Sequence, residues 1–154
     1  LEKFPNILAD WFEEIPEEPK TVWDLGKGDD AWFIAGGGVK KYVSMEEIEL
    51  ALFRGMVEVG DGFTTKEEAK KELARRKAKQ ILLRDTKGFK PDWNDRCQEK
   101  YVAYFDHDWG RLETDFWCTY HSQPSLYFAT QADAKASIKV HEKEWKTYLG
   151  VEGL

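Results

Sequence analysis

Asp106, His107 and Asp108 stand consecutively in this chain, with Cys118 and His121 a little further on. Carboxylates flanking an imidazole can ligate a metal or hold a general base, and a thiol near an imidazole can form a nucleophile pair. The spacing argues against both. Consecutive strand residues point to opposite faces, and the triplet falls where a hairpin turn belongs, a place that collects Asp for backbone reasons. Cys118 and His121, three apart on a predicted strand, also face opposite ways, and no flanking motif supports a Cys–His pair. His141 shares an apolar helical stripe with Trp145, the setting of a core histidine with one hydrogen bond. The glycines at 36–38 lack the Lys-Ser/Thr and the helix start of a phosphate loop, so they read as a turn. The expectation is a protein that is not an enzyme and has no cofactor or metal. A metal-dependent enzyme built on residues 106–108 is the remoter alternative.

Charge offers a different chemistry. The 154 residues carry a formal net charge of −6, unevenly spread. Residues 1–30 hold nine acids and three bases, 64–90 hold ten bases and four acids, and 91–121 hold seven acids and three bases. Solvated surface with internal ion pairing accounts for most such patterns. The sharper reading is electrostatic. Glu13, Glu14, Glu17 and Glu18 in the first acidic stretch, or Asp106, Asp108, Glu113 and Asp115 in the second, would present carboxylates to a basic groove that expects phosphates. The reverse reading uses Lys66, Lys70, Lys71, Arg75, Arg76, Lys77 and Lys79 on a basic helix over 66–79 to contact nucleic acid. Glu67, Glu68 and Glu72 interrupt that helix, and the whole chain is acidic.

The elements that would carry these residues follow from periodicity and turn chemistry. Residues 5–15 predict a short amphipathic helix with Ile7, Leu8, Trp11, Phe12 and Ile15 on one face, and "PEEPK" is a stiff connector. Residues 31–35 and 39–43 predict a hairpin. Ser44 with Glu47 reads as a capping box before a helix to about residue 54, with Met45, Ile48 and Leu52 inward. Thr65 with Glu68 repeats the cap before a long helix to about 84. Its stripe of Ala69, Leu73 and Ile81 is narrow, so most of it is expected to face water. Strands are expected at 101–105, 112–120 and over "SLYFAT". A single last helix over 131–149 should bury Ala134, Ile138, His141, Trp145, Tyr148 and Leu149 against them.

"GFTTKEEAKKEL" and "YFATQADAKASI" say nearly the same thing at a constant offset. Phe63, Thr65, Ala69 and Leu73 recur as Phe128, Thr130, Ala134 and Ile138. In each, an aromatic enters a Thr-capped helix, and Ala lets that helix sit close to its sheet. The expected fold is α+β: two related antiparallel-sheet-plus-helix units in one body, over 20–90 and 91–154, preceded by an acidic helical arm over 1–19. No apolar run approaches the ~20 residues of a membrane span, and the N-terminal stretch lacks the basic-then-apolar build of a signal peptide. Two cysteines, Cys97 and Cys118, suit a reducing cytoplasm, with a disulfide between them left open.

Several phrases together, "KTVWDLGKGDDAWFI", "GFTTKEEAKKELARRKA", "FKPDWNDRCQEKYVAYFDHDWG" and "YFATQADAKASIKVHEKEWKTYLGVE", resemble small accessory proteins of phages and prophages of Gram-positive bacteria. The resemblance spans roughly residues 20–152 and rests on structural phrases, so it transfers no functional residues. It implies a non-enzymatic binding protein in the host cytoplasm that inhibits a host defence component. One form of this is an anti-CRISPR protein that blocks a Cas nuclease by occlusion or acidic mimicry of DNA. The alternatives are a nucleic-acid accessory protein using the basic helix, or a nucleotide-sequestering protein.

Overall fold

A computed structural model describes residues 20–118 and 126–151. The predicted N-terminal arm therefore lies outside the described residues. The chain is α+β, with four α-helices and two small antiparallel sheets among those residues.

The first sheet starts as the expected hairpin, β1 (Ala31–Ala35) and β2 (Gly38–Tyr42), with Ala35 opposite Gly38. Two residues make the turn rather than three. Gly36 and Gly37 both have positive φ, +59° and +76°, as a tight turn matching strand twist requires. A third strand, β3 (Gly62–Phe63), pairs with the free edge of β1 and was not foreseen. Its two residues are too short to leave a period-two signal.

α1 (Glu47–Glu58) corrects the expected cap and face. Glu46 is the N-cap, and the Glu49 carboxylate accepts from the Glu46 N–H at 2.8 Å. Ser44 takes a positive φ and its N–H donates to Asp30. Met45 precedes the helix, fully buried and fixed by backbone hydrogen bonds to Gly28 and Asp29. With Met45 held outside the helical period, the buried face falls on Phe53 and Val57, and Ile48 and Leu52 point outward. Met45, Phe53 and Val57 join Leu25, Ala31 and Phe33 in one core cluster.

α2 (Lys66–Asp85) is capped as predicted, with the Thr65 hydroxyl accepting from Glu68 N–H and the Glu68 carboxylate answering Thr65 N–H. Ten of its 20 residues are exposed, as the narrow stripe implies, yet the helix packs on two sides. Ala69, Ala78 and Leu82 are buried, with Leu73 and Ile81 partly so. One side of α2 meets the first sheet, where Lys66 lies over the Trp32 ring, and another meets the C-terminal helices. Alanines carry much of this packing. Small side chains let backbones approach while contributing little to a hydrophobic stripe, which hides the contact from a periodicity reading.

The second sheet is the ribbon β4 (Lys100–Asp106) and β5 (Arg111–Trp117), paired throughout, with Asp106 opposite Arg111. Phe128 exchanges both backbone hydrogen bonds with Tyr101, at 2.8 and 3.1 Å, on the other edge of β4. The expected single last helix is two, α3 (Gln131–Val140) and α4 (Glu142–Leu149), broken at His141 with φ −123° and ψ 40°. On either side of the break, α3 lies chiefly on the ribbon and α4 chiefly on α2. Trp145 and Tyr148 are buried as expected, in a cluster with Ala78, Leu82, Ala103, Phe128 and Ala134. Ile138, His141 and Leu149 are only half-buried.

The two similar phrases have matching junctions. Thr65 and Thr130 are both N-caps with extended backbones, Ala69 and Ala134 are both fully buried, and Phe63 and Phe128 both pair with the first strand of a hairpin. The match is local. α1 has no counterpart among the described residues of the second half, and α2 supplies Ala78 and Leu82 to the second cluster.

Candidate partner-binding surface

The β4–β5 register decides which carboxylates share a face. Directly opposed residues in an antiparallel pair project to the same side. Val102 opposes Asp115, Tyr104 opposes Glu113 and Asp106 opposes Arg111, so Asp106, Glu113 and Asp115 lie on one face of the ribbon. Tyr101, Ala103 and Leu112 take the other face, towards α3 and the core. Successive same-face residues are about 6.5–7 Å apart along a strand, which sets the backbone spacing of Glu113 and Asp115, while the Glu113 carboxylate turns to Arg111 and Asp115 Oδ1 accepts from the Phe116 N–H.

Asp108 belongs to the turn rather than the face. Asp106 Oδ1 accepts the N–H groups of Asp108 at 2.9 Å and Trp109 at 3.1 Å, the backbone role expected of Asp in a turn. His107 is exposed and packs edge-on against Phe105. Arg111 sits among the acids, pairs with Glu113 at 2.6 Å and lies over the Trp109 ring. Two aromatics complete the surface, Trp109 at 74 % and Tyr104 at 39 % exposure. The ribbon thus carries Asp106, Asp108 and Glu113 towards its tip and Asp115 nearer its base, with Arg111 and two exposed aromatics among them. Glu13, Glu14, Glu17, Glu18 and His121 lie outside the described residues.

The basic helix is partly consumed by internal contacts. Glu72 accepts from Arg75 Nε at 2.6 Å and Arg76 Nε at 2.7 Å, and Arg76 also reaches the Asp61 carboxylate and the Gly60 carbonyl. The Arg75 hydrogen bond, with help from Arg76, holds the Glu72 carboxyl below the usual glutamate range. Asp61 above all, then Glu72, pushes the Arg76 guanidinium further up. Lys70, Lys71 and Lys77 remain exposed.

Two polar arrangements escaped sequence reasoning. Ser137, buried in α3, donates to Asp85 Oδ2 at 2.6 Å and accepts from Trp145 Nε1 at 3.0 Å. His141 lies beyond, with Nε2 at 3.8 Å from Asp85 and Nδ1 at 3.7 Å from Glu144. Asp85, Ser137 and His141 line an open cleft of about 210 Å³ with Lys87 and Asp133. A nucleophilic triad needs the imidazole against the hydroxyl. Here the carboxylate occupies that place, so the arrangement ties the α3–α4 break to the end of α2. A serine on an otherwise apolar helical stripe was the available signal. The second is Lys100, which is 0 % exposed and donates to the carbonyls of Asp95, Gln98 and Cys118.

Among the described residues no three His, Cys, Asp or Glu side chains are placed to hold a metal ion, and Cys97 and Cys118 are free thiols. No helix of the described residues is long and apolar enough to cross a membrane. Comparison with protein-family models, with curated proteins and with solved structures found no significant match to this chain.

Proposed function

We propose that this chain is a non-enzymatic, phage-type binding protein acting in the host cytoplasm. It inhibits a host defence component by engaging a basic, nucleic-acid-processing protein, of which a Cas nuclease is one example. The observation that carries the proposal is the shared face of Asp106, Glu113 and Asp115, with Asp108 at its tip and Tyr104 and Trp109 beside it. Carboxylates at strand spacing supply the negative potential that a phosphate-binding groove attracts. Exposed aromatics beside them supply the desolvated contact that charge alone does not. The phage and anti-defence character rests on the sequence resemblance described above.

The test is a pull-down from bacterial lysate, with and without nuclease treatment, followed by association kinetics on the captured protein. A partner retained after nuclease treatment, competed by DNA or guide RNA, and weakened by rising salt is the expected outcome. Replacing Asp106, Asp108, Glu113 and Asp115 with Asn or Gln should slow association by roughly tenfold or more while folding changes little, because steering is lost. Capture that disappears with nuclease treatment, and fails when Lys70, Lys71 and Lys77 are changed to Glu, would replace this reading with direct nucleic-acid binding.

A further inference from the structure

α1 is apolar on two sides. Phe53 and Val57 are buried against the first sheet. The opposite side carries Ile48, Ala51, Leu52 and Gly55, with Val59 at the C-cap, all exposed. At roughly 100° per residue, these five fall within an arc about 100° wide. Ile48 is 77 %, Leu52 55 % and Val59 70 % exposed. Nothing lies within 4 Å of where a Cβ on Gly55 would sit. The stripe is uncovered among the described residues, with a notch at its centre where a second backbone can approach.

We propose that this stripe is a docking surface for an amphipathic helix of a partner protein whose apolar face is flanked by Lys or Arg. The rim selects that occupant. α1 contains Glu47, Glu49 and Glu58 against a single base, Arg54. Glu46 at the N-cap is paired with Lys27 at 3.0 Å, so the two cancel and leave the acidic balance of α1 itself to set the rim. A second copy of this chain would set the same acids against themselves. Residues 5–15 of this chain, the other apolar candidate, carry Asp10, Glu13 and Glu14 and no base. Like charges facing each other disfavour both, whereas a basic-rimmed helix is attracted along the rim and places its i, i+3/i+4, i+7 anchors over the notch. This surface belongs to the first sheet's helix and does not depend on the acidic ribbon.

The test uses the full chain and two synthetic amphipathic peptides of about five helical turns, identical in apolar face and rimmed by Lys in one and Glu in the other. Fluorescence anisotropy should give one-to-one binding of the Lys-rimmed peptide and at least ~10-fold weaker binding of its twin. Ile48→Ser with Leu52→Ser keeps the net charge and should weaken the Lys-rimmed peptide by at least ~10-fold. Gly55→Gln fills the notch with a better helix former, so it should keep or raise Tm while weakening binding by a similar factor. Binding unchanged in both variants would reduce the effect to charge attraction and overturn the proposal, as would no binding of either peptide. A concentration-dependent dimer in sedimentation that Leu52→Ser abolishes would assign the stripe to a second copy. Binding seen only when Trp11 and Phe12 are changed to Ala would assign it to residues 5–15.

Discussion

Lys100 offers the sharpest test of the energetics. Its side chain is wholly buried, yet no carboxylate of the described residues meets it. Nζ instead donates to Gln98 O at 2.7 Å, Asp95 O at 3.1 Å and Cys118 O at 3.4 Å, and lies 5.2 Å from the centre of the Trp93 ring. Three donors meet three acceptors, which binds the loop before β4 to the end of β5. Lys100→Met keeps the stem volume and removes the donors. The two shorter bonds, to a charged donor, are worth about 1.5–3 kcal/mol each. Relief from burying an ammonium offsets only part of those ~3–6 kcal/mol, because the bond values are already net of desolvation, while the carbonyl oxygens lose their partner inside a packed loop. The net loss should be about 2–4 kcal/mol, which for a chain of this size lowers Tm by roughly 5–15 °C. Urea unfolding followed by circular dichroism measures the first quantity and a thermal scan the second. Hydrogen exchange should rise at the amides of residues 92–99 before elsewhere. The loss should be nearly independent of salt, since the acceptors are uncharged and buried. A Lys100→Met protein within about 0.5 kcal/mol of the parent would refute the staple, because it would mean those carbonyls lose nothing.

Gly62 should be intolerant of even one carbon. A Cβ there would sit 2.6 Å from Val57 Cγ2 and 3.0 Å from Phe53 Cε2, so Gly62→Ala should cost about 1–3 kcal/mol by overpacking, read as a lower urea midpoint. Glu72→Gln should destabilise the protein at neutral pH and progressively less in acid. Glu72's folded pKa is depressed below the ordinary 4.5, chiefly by Arg75, so its contribution is present above that value and lost as pH falls through the depressed one. Stability curves of parent and variant should therefore draw together as pH falls below 4.5 and meet once it passes the depressed value. A gap that stays constant into acid would show that the carboxylate's charge is not what stabilises the Arg75–Glu72–Arg76 group.

Local chemistry was legible in the sequence wherever one residue type answers one backbone demand. Gly36 and Gly37 supply the positive φ of the hairpin, Thr65 and Thr130 cap helices with their hydroxyls, and Asp106 closes a turn with its carboxylate. Those interactions span a few residues, so their composition is visible along the chain. The α+β class followed from the same signals. Tertiary structure alone decided which surfaces these elements keep. Met45, held by backbone bonds to Gly28 and Asp29, stays outside the α1 period and leaves Ile48 and Leu52 facing out. His141 breaks a helix that reads as continuous, and the two segments then pack chiefly on different elements, the ribbon and α2. The register of β4 on β5 put Asp106, Glu113 and Asp115 on one face and Arg111 among them. Pairings across long sequence separations depend on how whole elements fit together. Periodicity within one element carries no record of that fit.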